Sequence, residues 1–558
     1  MKIWLVLWAA ALSLAWLVPN HFPPWSTFHG DMWMATVAWL GCGWVVMRNK
    51  APLELSGWVV LPFALACVSW LQLFGGLLHF IGQAWMSSIY LAGFGLALLT
   101  GERWERSAPG QLASALFIAI AIGTMLSVGL QLLTWLQLNS DEVTDIWSMG
   151  LAGNRPYANI GQPNLLASFL LWGVLAALWA YQFRVLGGWV AGLMVFFLMV
   201  GLALTQSRTG YLSLSLLLLA TWYWRSLWRS PYVPVVATAL FTVFWLIPPL
   251  LTQTYAFLFF GPDDSYLRAL EANNLRLSAW VMFWDAAWQR PWFGYGFTEV
   301  AAAQVGVADR FAPMAELFGH SHNLFLDFVL WFGLPMGLAI SVTLIYWFWV
   351  TFRSTADSKS AILLLLIMVM AVHAMLELPL HHAFFLIPTG FIMGILNAHR
   401  SHRVLFSAPA VNLVLIWVAL GAALFITTRD YLRIEEGHTS LRFEKARIGL
   451  EKTGVGAPPE VLVLTQLKTW IWGERYEPKS QTSSDELENL DALTRRYPTG
   501  PAIYRLAKAY ALNDQPEKAQ YWLLRLCKFT NSNNCKFFQA AWSNDAKVYG
   551  SMAKVTWP

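Results

Sequence analysis

Several polar residues stand alone in an otherwise apolar chain, and their types and spacing define the chemistry open to it. Gly319-His320-Ser321-His322-Asn323 precedes a long apolar run. A histidine held at a surface can take a proton from an attacking hydroxyl, because its reference pKa is near neutrality. Arg208, in Thr205-Gln206-Ser207-Arg208-Thr209-Gly210, sits at the junction of two apolar stretches. A permanent charge there needs an anionic partner, and a guanidinium fork matches two phosphate oxygens. Arg276 flanks an aromatic stripe and suits the same task, and Arg268, Arg290 and Arg310 share its segment. For these three, snorkelling or a salt bridge with Asp264, Glu271 or Asp285 is an equal reading. The polar turn Asn159-Ile160-Gly161-Gln162-Pro163-Asn164 can present the Gln162 and Asn164 amides to a sugar or phosphate. His373 and Glu377 are spaced to share a helix face, ahead of Pro379 and His381-His382.

The same residues exclude other chemistry. Two histidines two apart suggest a metal, but zinc needs three or four ligands and no cysteine or carboxylate cluster adjoins them in sequence. No metal or cofactor is therefore expected. A G-x-S-x-G elbow, a P-loop and a Rossmann glycine pattern are all missing from the sequence.

The elements that must position these groups are membrane helices. Of 558 residues 57% are hydrophobic and only 12% charged, whereas soluble domains carry about 25% charge. Thirty-three tryptophans suit many membrane interfaces. Apolar runs predict an all-α polytopic fold of about thirteen spans, near 3–19, 32–48, 55–74, 78–99, 111–137, 164–182, 186–205, 209–224, 233–251, 323–350, 361–378, 383–398 and 410–427. The N-terminal run has no small-x-small cleavage site and reads as the first span.

Orientation follows from Lys and Arg. With the N-terminus inside, the cytoplasmic connections hold Lys2, Arg48, Lys50, Arg103, Arg106, Arg184, Arg225, Arg229, Arg353, Lys359, Arg400 and Arg403. The opposite short loops hold almost none apart from Arg155 and Arg208, and each of those needs a local reason. The net charge of +5 reads as this loop bias, with no nucleic-acid surface.

Five segments result: N-terminal spans over 1–150, spans with the Gln162 turn and Arg208 over 151–251, a large external loop over 252–322, C-terminal spans over 323–427 and an external tail over 428–558. The loop is too long for a connector. Its Asn273–Gln289 stretch reads as an amphipathic interfacial helix with Leu277, Trp280, Val281, Trp284 and Trp288 on one face, stopped by Pro291, with Gly294 and Gly296 permitting a turn. In the tail, Ala502–Tyr510 and Pro516–Gln520 have the spacing of a tetratricopeptide helix pair, or of a plain helical hairpin. Cys42 and Cys67 read as packing residues; Cys527 and Cys535 can pair only if the tail is oxidised.

Taken in order, Gly161-Gln162-Pro163-Asn164, Ser207-Arg208-Thr209-Gly210, Arg276 with Trp280, Pro291, Gly294-Tyr295-Gly296, His320-Ser321-His322-Asn323 and Glu377-Leu378-Pro379-Leu380 resemble the O-antigen ligase and polymerase superfamily. Within it the likeness is to PglL-type bacterial protein O-oligosaccharyltransferases, over about residues 154–395. The resemblance implies inverting, metal-independent glycan transfer from undecaprenyl diphosphate at the periplasmic face of the inner membrane. The acceptor would be a Ser or Thr hydroxyl of a periplasmic protein such as pilin; alternatives are lipid A-core, as in O-antigen ligases, or another repeat unit, as in polymerases. It implies that Arg208 and Arg276 neutralise the diphosphate and that His322 is the general base, with His320 orienting it or touching substrate. Gln162 matches a required glutamine. Leu378 stands where many relatives have tyrosine, which leaves that role to another residue such as His381 or His382. A lipid-linked glycan transporter is the remaining reading; transporters usually carry charge at the bilayer midplane, whereas here it gathers at one face.

Overall fold

A computed structural model describes residues 2–48, 50–138, 147–152, 155–259, 273–400, 404–448 and 456–558. Arg268, Asp264, Glu271 and Arg403 lie outside them. The described residues are mainly helical, with two small two-stranded pairings: Leu53–Ser56 with Val404–Ala408, and Leu151–Ala152 with Arg155–Pro156. Among the described residues eight helices are long and apolar enough to cross a membrane, and three shorter apolar helices accompany them. The protein is thus a multi-pass membrane protein.

Every expected span falls on helix, with three differences of shape. The stretch expected over 233–251 is two helices, Val233–Phe244 and Ile247–Phe259, parted at Trp245 and Leu246. The stretch expected as one span over 323–350 is two helices, Leu324–Phe332 and Leu334–Ser354, broken at Gly333. Gly333 has φ 81°, a left-handed value that glycine tolerates and a helix cannot contain. The last span continues well past residue 427, as one 36-residue helix, Val411–Ala446.

The chain divides into two compact units. The first gathers Met1–Ala66, Ile89–Glu271 and Leu344–Phe425. Among its helices long enough to cross a membrane the most enclosed is Pro163–Gln182, where Leu166, Phe169, Leu170 and Trp172 are fully buried. At its rim Trp189, Leu193 and Phe196 point outward, as apolar side chains do when the solvent is lipid.

The second unit gathers Cys67–Ser88, Ala272–Thr343 and Ile426–Pro558. Beyond the helix that ends at Ala446, the described residues of the tail form five α-helices, Thr465–Arg475, Ser484–Arg496, Gly500–Leu512, Pro516–Leu526 and Ser532–Val548. Leu490, Ile503, Leu506, Tyr510, Trp522, Leu523 and Leu526 form their core, which also takes in Val305 and Ala308. Residues 502–520 do form a helix pair. The tail is tied to the segment before the histidine loop. Arg525 donates from Nε to the Val305 carbonyl at 2.8 Å and from Nη2 to Asp309 at 2.9 Å. Arg496 pairs with buried Glu299 at 2.9 Å, and Gln83 donates to the same carboxylate. Burial pushes the Glu299 carboxyl up, and Arg496 opposes that shift. Cys527 and Cys535 form a disulfide, while Cys42 is a free, buried thiol.

Candidate active site

In the first unit the site begins with a turn. Gly161 has φ 88°, so the chain reverses where only glycine is unstrained, and Gln162 then caps the helix Pro163–Gln182 with Pro163 in its first turn. Asn159 is consumed in holding this turn: its Nδ2 donates to the carbonyls of Leu17 (2.9 Å) and Trp147 (2.8 Å), and its Oδ1 accepts from Met149 N (3.2 Å). The His21 ring braces it from beside, its Nε2 2.6 Å from the Asn159 carbonyl oxygen. Burial lowers the pKa of His21, so a neutral ring is favoured there. Among the described residues no hydrogen bond engages the half-buried Gln162 side chain.

Asn164 and Ser168, one turn apart, meet a matching pair. Asn164 Nδ2 donates to Glu377 Oε1 at 3.2 Å, and Ser168 Oγ lies 2.8 Å from His373 Nδ1. The helix carrying His373 ends at Ala374, but Glu377 N still donates to the His373 carbonyl at 2.8 Å. The spacing expected of this pair is therefore kept. His381 ends a one-turn 3-10 segment and His382 caps the helix Ala383–Ala398, with its ring stacked on Phe384.

Arg208 opens the helix Arg208–Tyr223, and Ser207 caps it by accepting from Gly210 N at 3.1 Å. Arg208 is exposed. A Cβ on Gly210 would stand 3.0 Å from the Ala167 Cβ, so glycine lets this helix start close against the start of Pro163–Gln182. Two helix N-termini and an arginine together favour an anionic group. Arg155, half-buried, adds a second charge: its Nε donates to the Thr205 carbonyl at 2.8 Å and its Nη2 to Asn164 Oδ1 at 3.4 Å. Burial lowers the Arg155 pKa; the charge of Arg208 lowers it further, while Tyr211 and Glu377 raise it.

In the second unit the helix Asn273–Gln289 forms as expected, with one correction to its faces. Leu277, Val281, Trp284 and Trp288 are exposed along one stripe, and Ala279, Met282, Phe283 and Ala286 are buried on the other side. Trp280 does not belong to the exposed stripe. It is half-buried, and its Nε1 donates to the Ser321 carbonyl at 3.0 Å, because only an inward indole can satisfy its N–H on the protein. Arg276, half-buried, lies one turn before Trp280 on the same helix. Arg310 pairs with Asp285 at 3.3 Å and Arg290 lies over the Tyr295 ring, which accounts for both of those arginines. Gly294 and Gly296 take φ of 68° and 108°, as a tight turn requires.

The histidine loop is held by its backbone. Ser321 N donates to Asp327 Oδ1 at 2.8 Å while its carbonyl accepts from Trp280, and Asn323 Oδ1 caps the next helix by accepting from Phe325 N and Leu326 N. Between these anchors His322 has φ 60°. That conformation is uncommon for a residue with a Cβ and gathers at functional positions. Its ring is 4.1 Å from that of His320 and edge-on to Phe318.

In the first unit Asn164 meets Glu377, and in the second Trp280, on the helix that carries Arg276, meets the loop that carries His320 and His322. Sequence reasoning missed the use of Arg155 and Ser168. The wrong-side charge of Arg155 was a signal; Ser168 gave none.

Known proteins resemble this chain along most of its length. A model of the O-antigen ligase family matches residues 193–340, one of protein glycosylation ligases matches residues 156–179, and one of the C-terminal part of virulence factor membrane-bound polymerases matches residues 361–541. A general O-oligosaccharyltransferase of Acinetobacter baylyi is 31% identical over 537 residues, spanning 92% of this chain and 90% of that protein. A ComP-specific O-oligosaccharyltransferase of the same organism is 29% identical over 249 residues, 44% of each chain.

Proposed function

The chain belongs to the O-antigen ligase and protein O-oligosaccharyltransferase family, and from that premise we propose that it transfers a glycan from undecaprenyl diphosphate to a Ser or Thr hydroxyl of periplasmic proteins such as pilins. The observation that carries this reading is the likeness to a general O-oligosaccharyltransferase along nine-tenths of both chains.

In this mechanism His322 takes the proton of the acceptor hydroxyl as its oxygen attacks the anomeric carbon from the face opposite the diphosphate. The bond from the anomeric carbon to the diphosphate oxygen breaks, with inversion, and the released charge falls to Arg208 and Arg276. Fixed cations serve best where charge develops in the transition state. The anchored Ser321 backbone supports His322 in this role, and the paired helix N-termini support Arg208. Gln162, Asn164, His320, Glu377, His381 and His382 bind the substrates. No cofactor takes part.

The protein lies in the inner membrane with its N-terminus cytoplasmic and the active face and tail periplasmic. The charge bias of the loops and the Cys527–Cys535 disulfide, a bond of oxidising compartments, support that orientation. About thirteen spans and a tetratricopeptide-like role of the tail in docking acceptor proteins complete the proposal. The match to O-antigen ligases favours a second acceptor, lipid A-core. The test is transfer by purified protein in proteoliposomes from an undecaprenyl diphosphate-linked glycan, with a pilin and lipid A-core offered separately. Glycosylated pilin supports the first reading; glycan on lipid A-core alone replaces it with the second.

A further inference from the structure

Arg155 is an arginine on the side where the other short loops carry almost none, and nothing in the mechanism above uses it. We infer that Arg155 is a positioning residue of the donor site, one guanidinium that ties the Gln162-Pro163-Asn164 turn to the Thr205–Arg208 junction and so holds Arg208 for the diphosphate. This rests on Arg208 acting on that diphosphate.

Three sets of contacts carry the inference. The first is at the junction. Helix Gly188–Thr205 ends at a fully buried residue, and Gln206 then takes φ 48° before Ser207 caps the next helix. The last carbonyls of a helix lack intrahelical partners and carry its negative pole. Arg155 Nε satisfies the Thr205 carbonyl at 2.8 Å, three residues before Arg208. The second is at the turn, where Arg155 Nη2 holds the oxygen of the Asn164 amide and Glu377 holds its nitrogen. Both ends of that amide are thereby fixed. The third is the anchorage of Arg155 itself. Its backbone pairs with Ala152, and the carbonyl of Pro156 accepts from buried Gln131 Nε2 at 3.0 Å, which also donates to Gly201 in the helix that ends at Thr205.

Lysine cannot reproduce this arrangement. Its ammonium keeps the charge but not the planar fork that reaches two acceptors on separate segments.

The experiment measures initial rates and donor KM in proteoliposomes for Arg155→Lys, Arg155→Gln, Arg208→Gln and the double variant Arg155→Gln/Arg208→Gln, with detergent thermal melts to confirm folding. Both Arg155 variants are expected to lower kcat/KM for the lipid-linked donor by about 10- to 100-fold, the usual range for a hydrogen-bonded charge. Added to Arg208→Gln, the Arg155 change is expected to cost less than about 2-fold, since its effect runs through Arg208. Independent, multiplying losses would overturn the inference, and so would wild-type rates in Arg155→Lys. If the Arg155 variants do not fold, Gln131→Met removes the anchor of the Pro156 carbonyl beside Arg155 and must show the same non-additivity with Arg208→Gln. Full activity of Arg208→Gln alone would instead defeat the diphosphate role of Arg208.

Discussion

Trp280 and Ser321 are joined by an indole N–H that donates to a backbone carbonyl across 3.0 Å, 41 residues apart in sequence. With the Asp327 contact on its own N–H, Ser321 is gripped at both polar groups, and the adjacent His322 can keep its left-handed backbone. Trp280→Phe keeps an aromatic ring, though a smaller one, and deletes one hydrogen bond, worth about 1 kcal/mol. The expected result is a 3- to 10-fold loss of kcat (roughly that energy) with donor KM unchanged, read from transfer rates in proteoliposomes.

Gly210 permits the close approach of two helix starts. A valine there must displace the Ala167 and Leu202 side chains, 3.0 and 3.1 Å from its Cβ. Overpacking of this kind costs about 1–3 kcal/mol. Gly210→Val should lower the melting temperature in detergent and weaken donor use, because Arg208 opens the same helix.

Buried Glu299 and half-buried Arg496 pair between the segment before the histidine loop and the tail. Arg496→Met leaves the carboxylate buried without its cation, a loss of about 3–5 kcal/mol. Adding Glu299→Leu removes the stranded group and should recover much of that stability. Thermal melts of the single and double variants check the coupling; equal melting points would show the pair to be idle.

The Cys527–Cys535 disulfide closes a loop with a sequence separation of 8. Chain-entropy reasoning gives about 2–3 kcal/mol for so short a loop. Replacing both cysteines by serine should lower the unfolding temperature of the tail, followed by limited proteolysis, and labelling of the thiols in intact cells should require a reductant.

Much of this was legible in sequence because lipid imposes a simple rule: apolar runs become helices, and polar residues inside them need a reason. Asn164, Arg208, Glu377 and His322 stood out for that cause. The left-handed glycines 161, 294 and 296 were legible as turns. What escaped was tertiary. The side of the helix that Trp280 takes depends on a carbonyl acceptor 41 residues away, which no helical period reveals. The partners of the Arg155 side chain lie in two separate segments, so its wrong-side charge was visible but its purpose was not. Gly333 breaks a run whose hydropathy is continuous, and hydropathy does not record backbone conformation.

The central claim is that His322 takes the acceptor proton. His322→Asn is the sharpest variant, since asparagine tolerates the left-handed backbone that alanine resists. Purified wild type and His322→Asn are compared in proteoliposomes with an undecaprenyl diphosphate-linked glycan and a pilin acceptor, alongside melts that confirm equal stability. The account predicts a loss of about 10²- to 10⁴-fold in kcat, the usual worth of a general base, with donor KM little changed. Transfer by His322→Asn at the wild-type rate would contradict it.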